Sequence, residues 1–258
     1  MISFDLDMTL LDHRTNQITP SALEAIEKLR LKHKIVLATG RDMDNYYSTS
    51  YRDIVRPDAI VHMNGTKITV GDKLLFEHIF DPELLRRVLS FCDEKGFGIG
   101  MTAGDEDYYI HPEIIAANDI RFWGSCGRQF QNPWKMLTMP VRTLAFVGSR
   151  EQVEEMEREF PTLKLPMFAS GHGADVVEKG NSKADGLRRL AVYFGEKEDL
   201  SDTVAFGDSM NDIEVVQEAG IGVAMGNAVD ALKKVADYVT APIGEDGIYK
   251  ACEHLHLF

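Results

Sequence analysis

Cysteine is scarce in this chain. Its three cysteines, Cys92, Cys126 and Cys252, are far apart and form no CxxC pair or His/Cys cluster with zinc spacing. A disulfide framework and a structural zinc site are therefore not expected, and free thiols in a reducing compartment are. Positive charge is also short. Lys and Arg number 28 against 41 Asp and Glu, a formal net charge of -13. A nucleic-acid binder must offset phosphate charge with a basic surface, so nucleic acid is not an expected partner. A small phosphorylated ligand stays open, because it needs only a local pocket of donors or a metal ion. No apolar run approaches the ~20 residues of a membrane span, so no membrane partner is expected. No basic region followed by a long apolar stretch opens the chain, so a cytoplasmic location is expected. Repeats and low-complexity tracts are missing too. What remains is ordinary for a soluble globular protein: 258 residues, 44% hydrophobic and 27% charged, enough for one large domain or two modest ones.

The order of elements carries the first positive signal. "ISFDL" reads as a short buried strand. "SALEAIEKLRLKH" places Leu23, Ile26, Leu29 and Leu31 at helical spacing, with Ser21 after Pro20 suiting a helix start. "KIVLATG" is a second strand, "DMDNYYSTSYRDIV" a helix and "DAIVHMNG" a third strand. This alternation predicts a parallel sheet with helical crossovers. "GTKITVGDKLLFEH" then reads as a hairpin turning at Gly71-Asp72. From Pro82 to about Lys179 helices and short strands mix as in a separate α+β module. The parallel rhythm resumes with "SKADGLRRLAVYFG", "TVAFGDS", "NDIEVVQEAG" and "IGVAMG". The expected organisation is an α/β, Rossmann-like core formed by residues 1–81 and 181–258, interrupted by an inserted α+β cap at residues 82–180.

In an open parallel sheet, ligands bind beyond the carboxyl ends of the strands. The first strand delivers Asp5, Asp7 and Thr9 there. The second delivers Thr39, Gly40 and Arg41, and the third Asn64 and Gly65. The strand after the insert delivers Gly207, Asp208, Asn211 and Asp212, and a helix start carries Lys183. Asp5 and Asp7 are two apart and share a side of an extended chain. Asp208 and Asp212 are four apart and can share a face at a helix start. Crowded carboxylates repel, and Mg²⁺, which accepts a few carboxylate oxygens plus water and substrate phosphate, would relieve that repulsion. Thr39 and Gly40 lie where a strand is expected to turn into a helix, a place whose N–H groups favour an anion. Lys183 would add a positive charge for a phosphate oxygen. Singly, each residue has a plainer reading as a cap, a turn former or a surface lysine. Their joint order argues for a site.

The segments "DLDMTLLD", "ATGR", "GNSKADGL", "FGDSMNDIEV", "AMGNA" and "ADYVT" resemble, in order, motifs of the haloacid dehalogenase (HAD) superfamily, whose first motif is DxDxT. The likeness is nearest to the Cof-type subgroup (subfamily IIB), sugar-phosphatase-like hydrolases with a large C2-type cap. It spans both core segments, while the insert matches in position and size more than in sequence. The resemblance implies a phosphomonoester hydrolase. Asp5 would be the nucleophile and Asp7 the general acid, then base. Leu6, Thr39, Gly40, Lys183 and Asn211 would surround the phosphate. Mg²⁺ would be held by Asp5, the Asp7 carbonyl and Asp208. Thr9 would support the loop and its hydrogen bonds to Asp7, and Asp212 would orient Lys183 or metal-bound water.

The family usually has Gly where this chain has Met8. Met is compatible with the turn if φ stays negative, and would then wall the pocket or contact the leaving group. The expected activity is Mg²⁺-dependent hydrolysis of a small phosphorylated metabolite, a sugar phosphate, through an aspartyl phosphate. A phosphomutase of the same superfamily uses the same acid pair. A phosphate-accepting signalling module, like a receiver domain, is the non-enzymatic alternative. Substrate choice is expected from the insert, with Arg121, Trp123, Trp134 and His172 as candidates beside Asn64 and Gly65 of the core. Oligomeric state is not legible.

Overall fold

A computed structural model describes the backbone of residues 1–258 and every side chain except those of Tyr46, Tyr47 and Trp123. The chain divides into two compact units: Met1–Glu77 with Gly180–Phe258, and His78–Lys179. Each has its own hydrophobic core.

The first unit is built on an eight-stranded sheet. Tyr238–Val239, Ile221–Ala224, Val204–Gly207, Ile2–Phe4, Ile35–Ala38 and Ala59–His62 lie side by side in parallel. The hairpin Lys67–Val70/Lys73–Glu77 extends the sheet antiparallel. The four strands from Val204–Gly207 to Ala59–His62 are buried along their whole length. Continuous apolar runs of this kind belong to a parallel sheet covered on both faces. Ile2 pairs with Val204 on one side and Ile35 on the other, so the sheet needs both segments of the chain. Phe4 and Phe206 stack across that junction with ring centroids 4.9 Å apart.

Several boundaries differ from the sequence expectation for local reasons. The first helix is Pro20–Leu29, capped by Thr19, whose hydroxyl accepts from Ala22 N at 3.4 Å. Leu31 falls beyond its end and is 83% exposed, so it is no part of the apolar stripe. The next helix is Tyr46–Val55, starting later than "DMDN" suggested. Asp42 instead accepts from Asp44 N and, with Asp44, binds the Lys67 ammonium, which holds this stretch as a turn. Gly40 is therefore not at a helix start. The hairpin Leu11–Asp12/Gln17–Ile18 and, in the second unit, Glu106–Ile110 and Pro112–Trp123 were not read from the sequence.

The second unit has a six-stranded, mainly antiparallel sheet in the order Phe130–Gln131, Glu106–Ile110, Gly98–Ala103, Leu144–Val147, Ala174–Glu178, Leu163–Lys164. Its helices Pro82–Lys95 and Arg150–Glu159 bury Leu85, Val88, Leu89, Cys92, Val153 and Met156. Asp81 caps the first of them, and Gly96, at a φ of 69°, ends it. Among the described residues no helix is long and apolar enough to cross a membrane.

Two close approaches seat the helix Lys183–Phe194 against strands of the first segment. A Cβ on Gly186 would lie 2.4 Å from Val61 Cγ1, and one on Gly65 would lie 2.1 Å from the Ser182 carbonyl oxygen. Gly65 also has a φ of 92°, outside the range L side chains adopt easily. Gly65→Ala is expected to destabilise the protein by roughly 2–5 kcal/mol, combining left-handed strain with overpacking. Urea unfolding of the variant checks this; a loss under about 1 kcal/mol would show that the contact relaxes cheaply.

Candidate active site

Adjacent parallel strands bring their carboxyl ends to one sheet edge. Asp5 follows Phe4, Thr39 follows Ala38, Met63 follows His62 and Asp208 follows Gly207. Lys183, in the first turn of its helix, reaches into this edge with only 1% exposure. Its ammonium donates to Asp5 Oδ1 at 2.6 Å and to Asp212 Oδ1 at 2.7 Å. The other oxygen of Asp212 accepts from the backbone N–H groups of Asp208 and Ser209, both at 3.0 Å. That folding back explains why the chain makes a 3₁₀ turn at Met210–Asp212 before the helix Ile213–Glu218. It also explains Gly207, where a Cβ would lie 2.5 Å from that of Asp212.

Asp5, Asp208 and Asp212 are all buried and offer carboxylate oxygens within 4.8 Å of one another. Burial pushes Asp5 up to about 7, against the pull of Lys183 and helped by the neighbouring acids. Burial and Asp5 push Asp208 up to about 9. Lys183 is raised by Asp212 and Asp5 against the opposing effect of its burial, so it stays charged. Asp212 already takes three donors. With all three acids ionised, one ammonium would leave two negative charges uncompensated, and the raised Asp5 and Asp208 answer that excess by holding protons. This donor set of hard oxygens fits a divalent cation.

Asp7 has the opposite surroundings. Arg41 donates to it through Nε at 2.8 Å and Nη2 at 2.5 Å, and the His13 ring approaches Oδ1 at 2.6 Å. Burial opposes ionisation here, but the His13 and Arg41 hydrogen bonds together with the Arg41 charge outweigh it and hold the carboxyl down at about 2. Arg41 stands in the quoted "ATGR" but received no role from the sequence, and His13 was not singled out. The only signal for His13 was the turn-rich "DHRTN" after the acid motif, and an unremarkable turn reads the same.

Other expected site residues are placed as follows. The Leu6 side chain is buried in the core, so only its backbone is available to a ligand; its carbonyl accepts from the N–H groups of Thr9, Leu10 and Leu11. The Thr9 hydroxyl is turned to Asp208 Oδ1, at 3.4 Å, rather than to Asp7. The buried Thr39 accepts from Arg41 N at 3.1 Å through its hydroxyl, and Gly40 lies between them. Asn211 Nδ2 donates to Asn64 Oδ1 at 2.9 Å. Asn64 is buried with a φ of 54°, and Gly65 packs on Ser182. Met8 departs from expectation: its φ is 60°, in the left-handed region. The turn forces this, because Met8 N donates to Leu11 O while Asn227 donates to the Met8 carbonyl, each at 2.8 Å. The Met8 side chain packs partly buried on the core. In the second unit, Arg121 and His172 both line a cavity of about 380 Å³. Trp134 is 38% exposed. The side chain of Trp123 lies outside the described residues.

The family model of haloacid dehalogenase-like hydrolases matches residues 2–252. Phosphatase YwpJ of Bacillus subtilis (strain 168) is 39% identical over 288 aligned positions, covering 99% of this chain and 99% of YwpJ. From the same organism, the 5-amino-6-(5-phospho-D-ribitylamino)uracil phosphatase YitU is 26% identical over 261 positions, covering 96% of this chain and 94% of YitU. The solved structure of the HAD subclass IIB sugar phosphatase BT4131 is similar with a TM-score of 0.88 and 31% identity, covering 100% of this chain and 99% of that one. The chain belongs to the haloacid dehalogenase-like hydrolases, and among them to the Cof-type phosphatases. Such a family acts on small phosphorylated substrates and generally uses a divalent metal, for which the acid cluster is the matching feature.

Raised carboxyl values set a pH dependence. Between about pH 4 and pH 7 the folded metal-free chain holds protons on both Asp5 and Asp208 that the unfolded chain has lost, and from about pH 7 to pH 9 it holds the one on Asp208. Folding stability from this pair therefore falls as pH rises through that window. A divalent cation must displace those protons, so its affinity rises with pH. Mg²⁺ is expected to raise the thermal midpoint more at pH 8.5 than at pH 6. An equal shift at the two pH values, read by thermal melts with and without chelator, would contradict the assignment of the cluster.

Proposed function

We propose that the protein is a Mg²⁺-dependent phosphatase that hydrolyses a small phosphorylated metabolite, a sugar phosphate, through an aspartyl phosphate on Asp5. The observation that carries this is the contrast between two acids on one loop: Asp5 buried against Lys183, Asp7 gripped by Arg41 and His13. In this reading Met1–Glu77 with Gly180–Phe258 carry the chemistry and His78–Lys179 select the substrate.

A carboxylate attacks an anion only where positive charge offsets the repulsion. Lys183 supplies one such charge from a fixed position, and Asp212 keeps it there. Asp5, Asp208 and the Asp7 carbonyl would hold Mg²⁺, which supplies further charge neutralisation for the phosphoryl group. Asp5 attacks phosphorus, and the bond to the sugar oxygen breaks. Asp7, held ionised by Arg41 and His13 in the free protein, must take up a proton as substrate binds, and it gives that proton to the oxygen as it leaves. The same carboxylate, now ionised, takes a proton from water as the water attacks the phosphoryl group and frees Asp5. Backbone N–H groups near Leu6 and Gly40, the Thr39 hydroxyl and the Asn211 amide would orient the phosphate oxygens. Little covalent work is left for the rest of the protein, because phosphoryl transfer is governed by positioning and charge. Sugar phosphates are favoured as substrates by the likeness to BT4131, described as a sugar phosphatase.

Phosphate release from a panel of phosphomonoesters, with Mg²⁺ and with chelator, tests the reading. Asp5→Asn is expected to reduce turnover to background. Asp7→Asn is expected to slow turnover roughly 10²–10⁴-fold, the range of acid–base catalysis, and to leave a phosphorylated protein detectable by intact mass. No phosphate release from any panel member with Mg²⁺ would refute the proposal.

A further inference from the structure

We infer that His13 is a positioning residue for Asp7, a part that rests on Asp7 acting as the acid/base. The hairpin Leu11–Asp12/Gln17–Ile18 brings His13 to that carboxylate. Leu11 is anchored by its N–H on Leu6 O at 2.7 Å, and the buried Asp12 accepts from Arg14 through N at 2.9 Å, Nε at 3.0 Å and Nη2 at 2.6 Å. The hairpin closes through Thr15 N on Asp12 O and through Asn16, whose φ of 54° suits a left-handed turn residue. His13 is thus held between two fixed neighbours, not on a free tip.

An ionised carboxylate only accepts, so in the free protein and whenever Asp7 acts as base the hydrogen is assigned to His13 Nε2, which faces Asp7 Oδ1 at 2.6 Å and donates to it. Oδ1 then takes two donors, His13 Nε2 and Arg41 Nη2, while Oδ2 takes only Arg41 Nε. Oδ2 is the oxygen with accepting capacity to spare, and it is the one available for proton exchange with the leaving oxygen. Arg41 alone would not fix it. The Arg41 side chain is long and 31% exposed, so the Arg41–Asp7 pair could swing as a unit. A second donor from a separate element blocks that swing. A displacement of about 1 Å at such a group costs on the order of 10²-fold in rate.

The test exploits the leaving group. A sugar alkoxide needs a proton to depart, whereas p-nitrophenolate does not. kcat/KM would be measured on a sugar phosphate that the wild type hydrolyses and on p-nitrophenyl phosphate, for the wild type, Asp7→Asn, His13→Ala and His13→Gln. His13→Ala is expected to lose about 10- to 100-fold on the sugar phosphate. It should lose clearly less on the aryl ester, with KM for the sugar phosphate unchanged. His13→Gln, which retains an N–H donor, should recover most of the loss. If Asp7→Asn is selective for the sugar phosphate while His13→Ala matches the wild type, or loses equally on both esters without rescue by Gln, the inference about His13 fails alone. If Asp7→Asn itself shows no leaving-group selectivity, the acid/base reading falls and takes the inference with it.

Discussion

The buried ammonium of Lys183 is the interaction on which the rest of the core unit depends. Its two partners come from distant parts of the chain, Asp5 from the first strand and Asp212 from the turn after the strand Val204–Gly207. Burying a lysine is costly unless it is paired on good geometry. That requirement propagates outward. The helix must start where its first turn can reach the sheet edge, and Ser182 caps it there by accepting from Asp185 N at 3.0 Å. Ser182 in turn needs a glycine opposite, which is Gly65, and the next turn needs Gly186 against Val61. Asp212 must fold back over the chain, which requires Gly207. Four positions that read as separate motif fragments are one packing problem around a single charge.

The same pairing leaves the edge electrostatically unfinished. Lys183 answers one acid's worth of charge among three, and what is left falls on Asp5 and Asp208. Asp7, two residues from Asp5, is instead oversupplied with donors. Two carboxylates with environments that push them in opposite directions are the usual arrangement when one fold needs two different jobs from the same functional group. Here the difference is architectural. Asp5 continues a strand buried on both faces, while Asp7 has already turned toward the half-exposed loop where Arg41 and His13 can reach it.

That turn is bought with backbone strain. Met8, Met63 and Asn64 all sit at positive φ near the carboxyl ends of the strands. Non-glycine residues in that region cost on the order of 1–3 kcal/mol each and persist only where the surroundings over-determine them. At Met8 the surroundings are visible: the Leu11 carbonyl below, the Asn227 amide above, and core contact for the side chain. Met8 is not a free pocket wall. It is a strained turn residue of the loop that carries Asp7, held by two hydrogen bonds to its backbone and by side-chain packing that glycine could not provide.

How much of this was legible follows from the range of each signal. The alternation of buried strands and amphipathic helices is local, so the parallel sheet and the interruption by an α+β insert could be read directly. So could the acids at strand ends, because an open parallel sheet gives the carboxyl end of each strand a common destination. Partner choice is not local. Thr9 faces Asp208 rather than Asp7, and Asp42 takes Lys67 and so delays a helix that propensity would start earlier. Both depend on residues 25 to 199 positions away. The short hairpin at Leu11–Ile18 has only two residues per strand and no periodicity to detect, so His13 was invisible until the fold placed it. The insert shows the same limit from another side. Arg121 and His172, picked out for their chemistry, line one cavity, but no pattern in their spacing could have joined them across the 50 residues that separate them. Chemistry at a strand end can be read from the chain because topology guarantees where it goes. Chemistry on a loop cannot, because only the finished packing decides what it meets.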